Sequence, residues 1–245
     1  MLSPTSRLRA LPRLLLQALL PSSCALCGAV QDAAVCRACS LAYAAGGRPR
    51  CPCCANPAAA GDTGRHCGAC LADAPAFDAT VAACDYAAPL DSLVLGLKFS
   101  ARLALAPWMA ARLRKAALAS GAPLPDLLCA VPLGPRRLVE RGYNQALEVA
   151  RPLAQGLGIP LAPRLLERVL ETAAQSGVAP GERRRNVRGA FALADGQLPL
   201  AGRHVGVVDD VMTSGHTLDE LAGVLKAAGA ARVTNFVFAR TPPHA

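Results

Sequence analysis

Aromatic side chains are scarce in this sequence: one tryptophan, three tyrosines and five phenylalanines make up 4% of 245 residues. The core therefore has to be built mainly from Leu, Val and Ala. Beyond the N-terminal segment, no apolar run reaches the roughly 20 residues that span a bilayer, which excludes a membrane helix there. Neither Gly-Lys-Ser/Thr nor Gly-x-Gly-x-x-Gly occurs where a strand gives way to a helix, which excludes a Walker loop and a dinucleotide fingerprint. Acids are few as well, 17 against 26 basic residues, and the net charge is +9. Arginine far outnumbers lysine, and that balance favours an anionic partner, either a phosphate-rich small molecule or nucleic acid.

The first residues resemble an export signal, with Arg7 and Arg9 ahead of Leu14, Leu15, Leu16, Ala18, Leu19 and Leu20. Arg13 interrupts that run, and Pro21 spoils a small-residue cleavage site before Cys24. Leu11, Leu14, Leu15, Ala18 and Leu19 fall at helical spacing. Residues 1–23 are therefore read as a retained amphipathic segment, and the protein is expected to be cytoplasmic.

Nine of the eleven cysteines lie in the first 75 residues, and the composition changes between Leu71 and Asp78, at Pro75. Three parts are expected: the segment 1–23, a cysteine-rich head over 24–75, and a body over 76–245. In the head, four pairs stand at Cys-x-x-Cys spacing: Cys24 and Cys27, Cys36 and Cys39, Cys51 and Cys54, Cys67 and Cys70. Two thiolates separated by two residues converge on one metal, and two such pairs complete a tetrahedral site. Gly28 and Gly68 would allow the turns. Eight thiolates make two structural zinc sites. Disulfides are the alternative, disfavoured because the phosphate-site half of the chain looks intracellular. Sequential pairing, with 8 and 12 residues between successive pairs, is preferred to an interleaved cross-brace. Cys53 is assigned as a bystander, and Cys84 and Cys129 as buried strand residues. About 70 residues of this composition hold too little apolar mass to fold without metal.

The body alternates strand and helix. Val81 to Tyr86 reads as a strand, Asp91 to Leu97 as a helix that delivers Lys98, and Leu127 to Val131 as a buried strand followed by a loop over Leu133, Gly134, Pro135, Arg136 and Arg137. A helix follows from Asn144, which Pro152 should kink or shorten. Two more strands, Arg203 to Val208 and Arg232 to Phe238, flank a helix from Thr217 to Ala228. Such alternation argues for an α/β fold with a mostly parallel sheet covered on both faces.

The segment Val207-Val208-Asp209-Asp210-Val211-Met212-Thr213-Ser214-Gly215-His216-Thr217 carries the most chemical information. An apolar strand ends in two carboxylates, and a hydroxyl- and glycine-rich loop then opens a helix. The amides of a helix N-terminus bind phosphate, because they lack partners within the helix and the dipole is positive there. Carboxylates at the carboxyl end of a parallel strand sit where open α/β sheets bind ligands. They suit ribose hydroxyls or a magnesium-bound pyrophosphate.

That segment resembles the phosphoribosyl pyrophosphate (PRPP) loop of type I phosphoribosyltransferases. Val131-Pro132-Leu133 with Arg136-Arg137, then Glu140-Arg141-Gly142-Tyr143-Asn144-Gln145, resembles a block of the ComF family, also called the GntX-like group. Gln175, Arg183, Asn186, Val187, Gly189, Ala190 and Phe191 match a further segment of that family. Ala130 departs from the pattern, standing in place of its first proline. The resemblance covers nearly the whole chain and implies a double zinc-ribbon head on a type I phosphoribosyltransferase domain, with a link in some members to DNA uptake during natural competence.

By the same resemblance, Val211 to Thr217 would grip the PRPP phosphate. By position, the loop with Leu133, Arg136 and Arg137 would meet pyrophosphate; Lys98, after an apolar helix end, is either a further phosphate ligand or a plain surface lysine, and Arg141 either pairs with phosphate or anchors Tyr143 and Asn144. Asp209, Asp210, Arg183 and Arg184 would serve catalysis, the arginines from a segment over Gln175 to Arg188 that closes over the ligand. Magnesium is expected with PRPP. Two functions stay open: transfer of phosphoribosyl to an unknown nitrogen acceptor, or a non-catalytic adaptor for nucleic acid or protein with a PRPP-type pocket. Single-stranded DNA and the competence machinery are the candidate macromolecular partners.

Overall fold

A computed structural model describes residues 22–44, 48–170, 187–194 and 199–242. The chain divides into two compact units, one ending at Ala45 and one starting at Gly46. The expected segment 1–23 lies almost wholly outside the described residues.

In the first unit, Cys24 to Gly28 make a tight knuckle. Gly28 donates to the Cys24 carbonyl (2.9 Å), and Cys24 N–H to that of Ala29 (2.8 Å). Gly28 has φ +76°, which glycine adopts without a Cβ penalty. An antiparallel bridge, Ser23 to Val30, braces the turn. Helix α1, Arg37–Tyr43, follows, and the Cys36 sulfur caps it by accepting from Cys39 N–H.

The second unit opens with the same construction. Ala55 donates to the Cys51 carbonyl (2.9 Å), Cys51 N–H to that of Asn56 (2.8 Å), and Arg50 bridges Pro57. Ala55, not a glycine, holds the left-handed position here at φ 55°. A 3-10 turn, Ala60–Asp62, takes up the longer interval, and the five-residue helix α2, Gly68–Ala72, carries Cys70. Gly68, expected to permit a turn, instead begins that helix.

The rest of this unit is the α/β body. Strand β1 is Ala79–Asp85, β2 Leu127–Ala130, β5 His204–Met212 and β6 Arg232–Arg240. They form one sheet in the order β1-β6-β5-β2 with every neighbouring pair parallel. Helices α3 (Asp91–Phe99) and α4 (Leu105–Ala119) join β1 to β2. Helices α5 (Pro135–Arg141) and α6 (Gln145–Leu157), then an antiparallel pair of short strands, β3 (Leu166–Arg168) and β4 (Phe191–Leu193), lead to β5. Helix α7, His216–Ala227, joins β5 to β6.

The β1-to-β2 crossover travels across the sheet in one direction and the β5-to-β6 crossover in the other. With right-handed connections, their helices lie on opposite faces, so the sheet is covered on both sides as expected. Coverage explains why β6 is buried along all but its first residue: a central parallel strand has no solvent face. Leucine, valine and alanine dominate the core, with Phe236 and Phe238 as its largest buried side chains. Gly206 is required by space, because a Cβ there would stand 2.4 Å from Leu128 Cδ2 and 2.8 Å from Pro125 Cγ.

Three sequence expectations change. Arg136 and Arg137 lie on helix α5, not in a loop. Pro135 occupies its first turn, where a missing N–H costs nothing, and Gly142 at φ +80° closes it. Pro152 does not end α6, which runs on to Leu157, because its buried face (Ala146, Val149, Ala150, Leu153, Ala154) continues across the proline. Strand β5 extends through Asp209 and Asp210 to Met212, since its pairing with β6 continues to Met212 and Arg240.

Candidate functional site

The carboxyl ends of β2 and β5, the start of α7 and the C-terminal end of α3 surround a cavity of about 670 Å³. Asp209, Asp210, Val211, Met212, Thr213, Ser214, Gly215, His216 and Thr217 all line it, as do Lys98, Leu133, Arg137 and Arg141. Arg136 does not line it and pairs with Glu140 on its own helix at 2.8 Å. Arg183 and Arg184, with most of the segment Gln175 to Arg188, lie outside the described residues.

The loop is short and tightly set. Met212 ends β5, Thr213 and Ser214 are exposed, and Gly215 caps α7 at φ +88° with no side-chain cap. A Cβ on Gly215 would come within 2.6 Å of Met212 Cε. The positive end of the α7 dipole therefore faces the cavity beside two exposed hydroxyls, an arrangement that favours negative charge there. His216 Nδ1 lies 3.2 Å from Ser214 Oγ.

Below the loop the two carboxylates differ. Asp210 is 1% exposed and pairs with the Lys98 ammonium at 2.8 Å. Gln145 Nε2 approaches its other oxygen at 3.5 Å, and Arg141 donates to Gln145 Oε1. Burial opposes the Lys98 charge, but Asp210 and Asp209 outweigh it and raise its pKa. Asp209 is half-buried and accepts from Asp210 N–H at 2.8 Å. Burial and then the Asp210 charge lift the Asp209 carboxyl well above the usual carboxylate range, although Lys98 pulls the other way. The site thus holds one carboxylate paired with a lysine and one whose ionisation is opposed by burial and by its neighbour.

The Arg141-Gly142-Tyr143-Asn144-Gln145 run builds this arrangement. Asn144 caps α6 with its side-chain oxygen and donates to the Val131 carbonyl at 2.9 Å, fixing the end of β2. The Tyr143 hydroxyl donates to the Leu97 carbonyl, next to Lys98. Arg141 lies over the ring of Phe99, 5.6 Å from its centroid, and Phe99 is 72% exposed at the cavity mouth. Tyr86 and Arg168 also line the cavity, and the sequence reading missed both. Tyr86 directly follows β1, and in sequence it reads only as the end of that strand. Arg168 lies on a three-residue strand too short to show a period.

The cysteines gather as two groups of four, Cys24, Cys27, Cys36 and Cys39, then Cys51, Cys54, Cys67 and Cys70, with the sulfurs of each group within 4.8 Å of one another. A tetrahedral Zn–S distance near 2.3 Å sets neighbouring sulfurs about 3.8 Å apart. Cys27 and Cys36 stand 3.8 Å apart, and Cys54 and Cys67 3.5 Å. Backbone N–H groups point at the sulfurs, Cys36 N to Cys24 Sγ and Cys67 N to Cys51 Sγ, each at 3.3 Å. Burial opposes ionisation of Cys24, but the N–H groups of Cys36, Cys27 and Leu26 outweigh it and bring the thiol down to about 6. The donor set fits structural zinc, with sequential pairing. Cys53 is buried outside both groups.

A family model described as a double zinc ribbon domain matches residues 15–71. The DNA utilization protein YhgH of Salmonella typhi is 37% identical over 231 residues, covering 90% of this chain and 98% of the relative. Competence protein F of Haemophilus influenzae is 34% identical over 180 residues, 72% of this chain and 79% of that protein. The chain belongs to the ComF family. This ComF chain carries both the double zinc ribbon and a parallel α/β body. Among solved structures, the glutamine PRPP amidotransferase from B. subtilis aligns at 20% identity with a TM-score of 0.36, over 54% of this ComF chain and 25% of that longer one. Among the described residues no helix is long and apolar enough to cross a membrane.

Proposed function

We propose that this ComF-family chain binds PRPP with magnesium at the end of β5 and transfers its phosphoribosyl group to a nitrogen acceptor, in a role tied to the handling of DNA. The observation that carries the reading is the cavity where Asp209 and Asp210 stand directly before a loop of exposed hydroxyls at the start of α7. The 5′-phosphate would sit among Thr213, Ser214 and the first amides of α7. Asp209 and Asp210 would accept from ribose hydroxyls. The carboxylates Asp209 and Asp210 stand where the ribose of a magnesium-bound PRPP would be held, and the bound magnesium would supply neutralisation of the leaving pyrophosphate. Arg137, Arg141 and Lys98 line the cavity and would meet the departing pyrophosphate, and the family resemblance adds Arg183 and Arg184.

In the transfer, the acceptor nitrogen forms a bond to the ribose anomeric carbon while the bond from that carbon to the pyrophosphate oxygen breaks. The electron pair departs with pyrophosphate, and the acceptor proton passes to solvent. Cationic side chains that meet the departing charge stabilise this transition state more than the ground state. The link to DNA rests on the relatives, whose names are DNA utilization protein and competence protein. A cytoplasmic location is part of the same proposal.

The net charge of +9 and the two ribbons support a second reading, an adaptor that binds nucleic acid and uses the pocket only to hold PRPP. Incubating the pure protein with magnesium and PRPP, with and without free bases and single-stranded DNA, separates the two. Pyrophosphate release that depends on one acceptor supports transfer. Tight PRPP and DNA binding with no release under any acceptor favours the adaptor, and absence of PRPP binding by calorimetry removes both.

A further inference from the structure

Arg240, the last residue of β6, is 5% exposed, and no described carboxylate pairs with it. Its guanidinium is spent on carbonyl oxygens from two directions. Nε donates to the Cys54 carbonyl at 2.8 Å, inside the second cysteine knuckle. On the other side it donates to the carbonyls of Met212 (3.1 Å) and Thr213, the residues that open the phosphate loop, and to that of Thr241 (2.6 Å). Thr241 N–H returns a bond to Met212 O at 3.0 Å. One planar cation therefore bolts a metal-binding turn to the first two residues of the loop.

The knuckle is held at three successive points. Besides Cys54 O on Arg240, Pro52 O accepts from Thr80 N–H on β1 at 3.1 Å, and Ala55 O accepts from Arg50 at 3.0 Å. Arg50 and Arg48 both reach Asp85 at 2.8 Å, at the end of β1. Four thiolates around a divalent zinc leave a formal charge of −2, which supplies the anionic environment that a buried guanidinium needs. The first cysteine group lies in the other compact unit and has no part in these bonds.

We propose that Arg240 is a positioning residue that couples metal occupancy of the Cys51, Cys54, Cys67, Cys70 site to the shape of the phosphate loop. With metal bound, the knuckle presents its Cys54 carbonyl, Arg240 is fixed, and the Met212 and Thr213 carbonyls are held so that the amides beyond them face the cavity. Loss of that metal frees the guanidinium and loosens the loop. Loss of metal from the Cys24, Cys27, Cys36, Cys39 site leaves the loop unchanged. The consequence for PRPP affinity rests on the phosphate-loop reading given above; the consequence for loop order does not.

The test uses the full-length chain with hydrogen exchange of peptides covering 212–217 in the absence of ligand, zinc content per chain, and calorimetry with magnesium PRPP. Arg240→Met and Arg240→Lys are compared with Cys67→Ser, which removes a ligand of the second site and is expected to speed the same exchange, and with Cys24→Ser, which perturbs only the first site. The arginine variants are expected to speed exchange across 212–217 and to weaken PRPP about tenfold, the scale of one charge-assisted hydrogen bond. Cys24→Ser is expected to lose zinc without either effect. If Arg240→Met fails to fold, Arg240→Lys, which keeps charge and most of the volume but not the fork of donors, carries the test. Unchanged exchange at 212–217 in a folded Arg240 variant overturns the coupling, as does equal loosening by Cys24→Ser. Faster exchange in a protein that never binds PRPP upholds the coupling and sinks the ligand assignment instead.

Discussion

Replacing Lys98 by methionine removes the cation from a carboxylate that has nowhere else to turn. Asp210 keeps 2% of its side-chain exposure, and Gln145 Nε2 stands 3.5 Å from its other oxygen. Breaking a buried ion pair by deleting one partner costs about 3–5 kcal/mol. The Lys98 side chain retains 25% of its exposure, so solvent screening trims the expected loss to about 2–3 kcal/mol. Asp210→Asn should cost less, because the lysine that remains is partly hydrated and still lies beside Asp209. Adding Asp210→Asn to Lys98→Met should restore most of the loss. Trp108, the single tryptophan, packs edge-on against Phe238 at 5.9 Å and reports on the body in urea unfolding.

The pH dependence has a definite sign. The folded-state pKa of Lys98 is raised, so the pair's contribution is complete below the ordinary lysine value and fades only as pH rises through the higher folded value. The difference between wild type and Lys98→Met should be flat through neutral pH and shrink in the alkaline range. A loss below about 0.5 kcal/mol, or no rescue in the double variant, would refute the counter-ion role.

The Asp209 carboxyl is held well above its usual range, so PRPP affinity should rise with pH as that group ionises and can accept ribose hydroxyls; Asp209→Asn should bind more weakly and flatten the rise. Calorimetry over pH checks this, and a rise that survives the substitution would discard Asp209 as its source. Gly206→Ala forces a methyl against Leu128, Pro125 and the Phe236 ring at 2.4, 2.8 and 3.0 Å. It should lower stability by about 2–3 kcal/mol in the Trp108-detected transition, and an unshifted midpoint would mean that the β2–β5 packing is looser than described.

The strand, turn and helix over Val207 to Thr217 could be read from sequence because the residue types are each required by position: apolar residues in the strand, acids near its end, hydroxyls and glycine in the turn. How far β5 extends could not, because Asp209 and Asp210 break the apolar run that marks a buried strand, and only pairing with β6 carries it to Met212. Helix α5 was hidden for the opposite reason. It buries none of its residues, so it has no apolar stripe, and Leu133-Gly134-Pro135 reads as a turn. The metal sites were legible down to their ligands, since the spacing of cysteines is the chemistry. Arg240 was invisible, because a charged residue ending a strand looks like an ordinary surface group when its partners Met212 and Cys54 are 28 and 186 positions away.

The two ribbons also show how packing changes what a sequence must supply. Both need a residue with positive φ four positions after the first cysteine, and the first ribbon meets the need with Gly28, which has open space around it. The second places Ala55 there, a conformation that costs an L-residue about 1–2 kcal/mol. Ala55 is fully buried, and its carbonyl is held by Arg50, itself anchored on Asp85. Contacts with the body thus offset a strain that the first ribbon avoids with glycine. The same contacts tie the second knuckle to the loop after β5, which is why the proposed coupling runs through that site and not through the other.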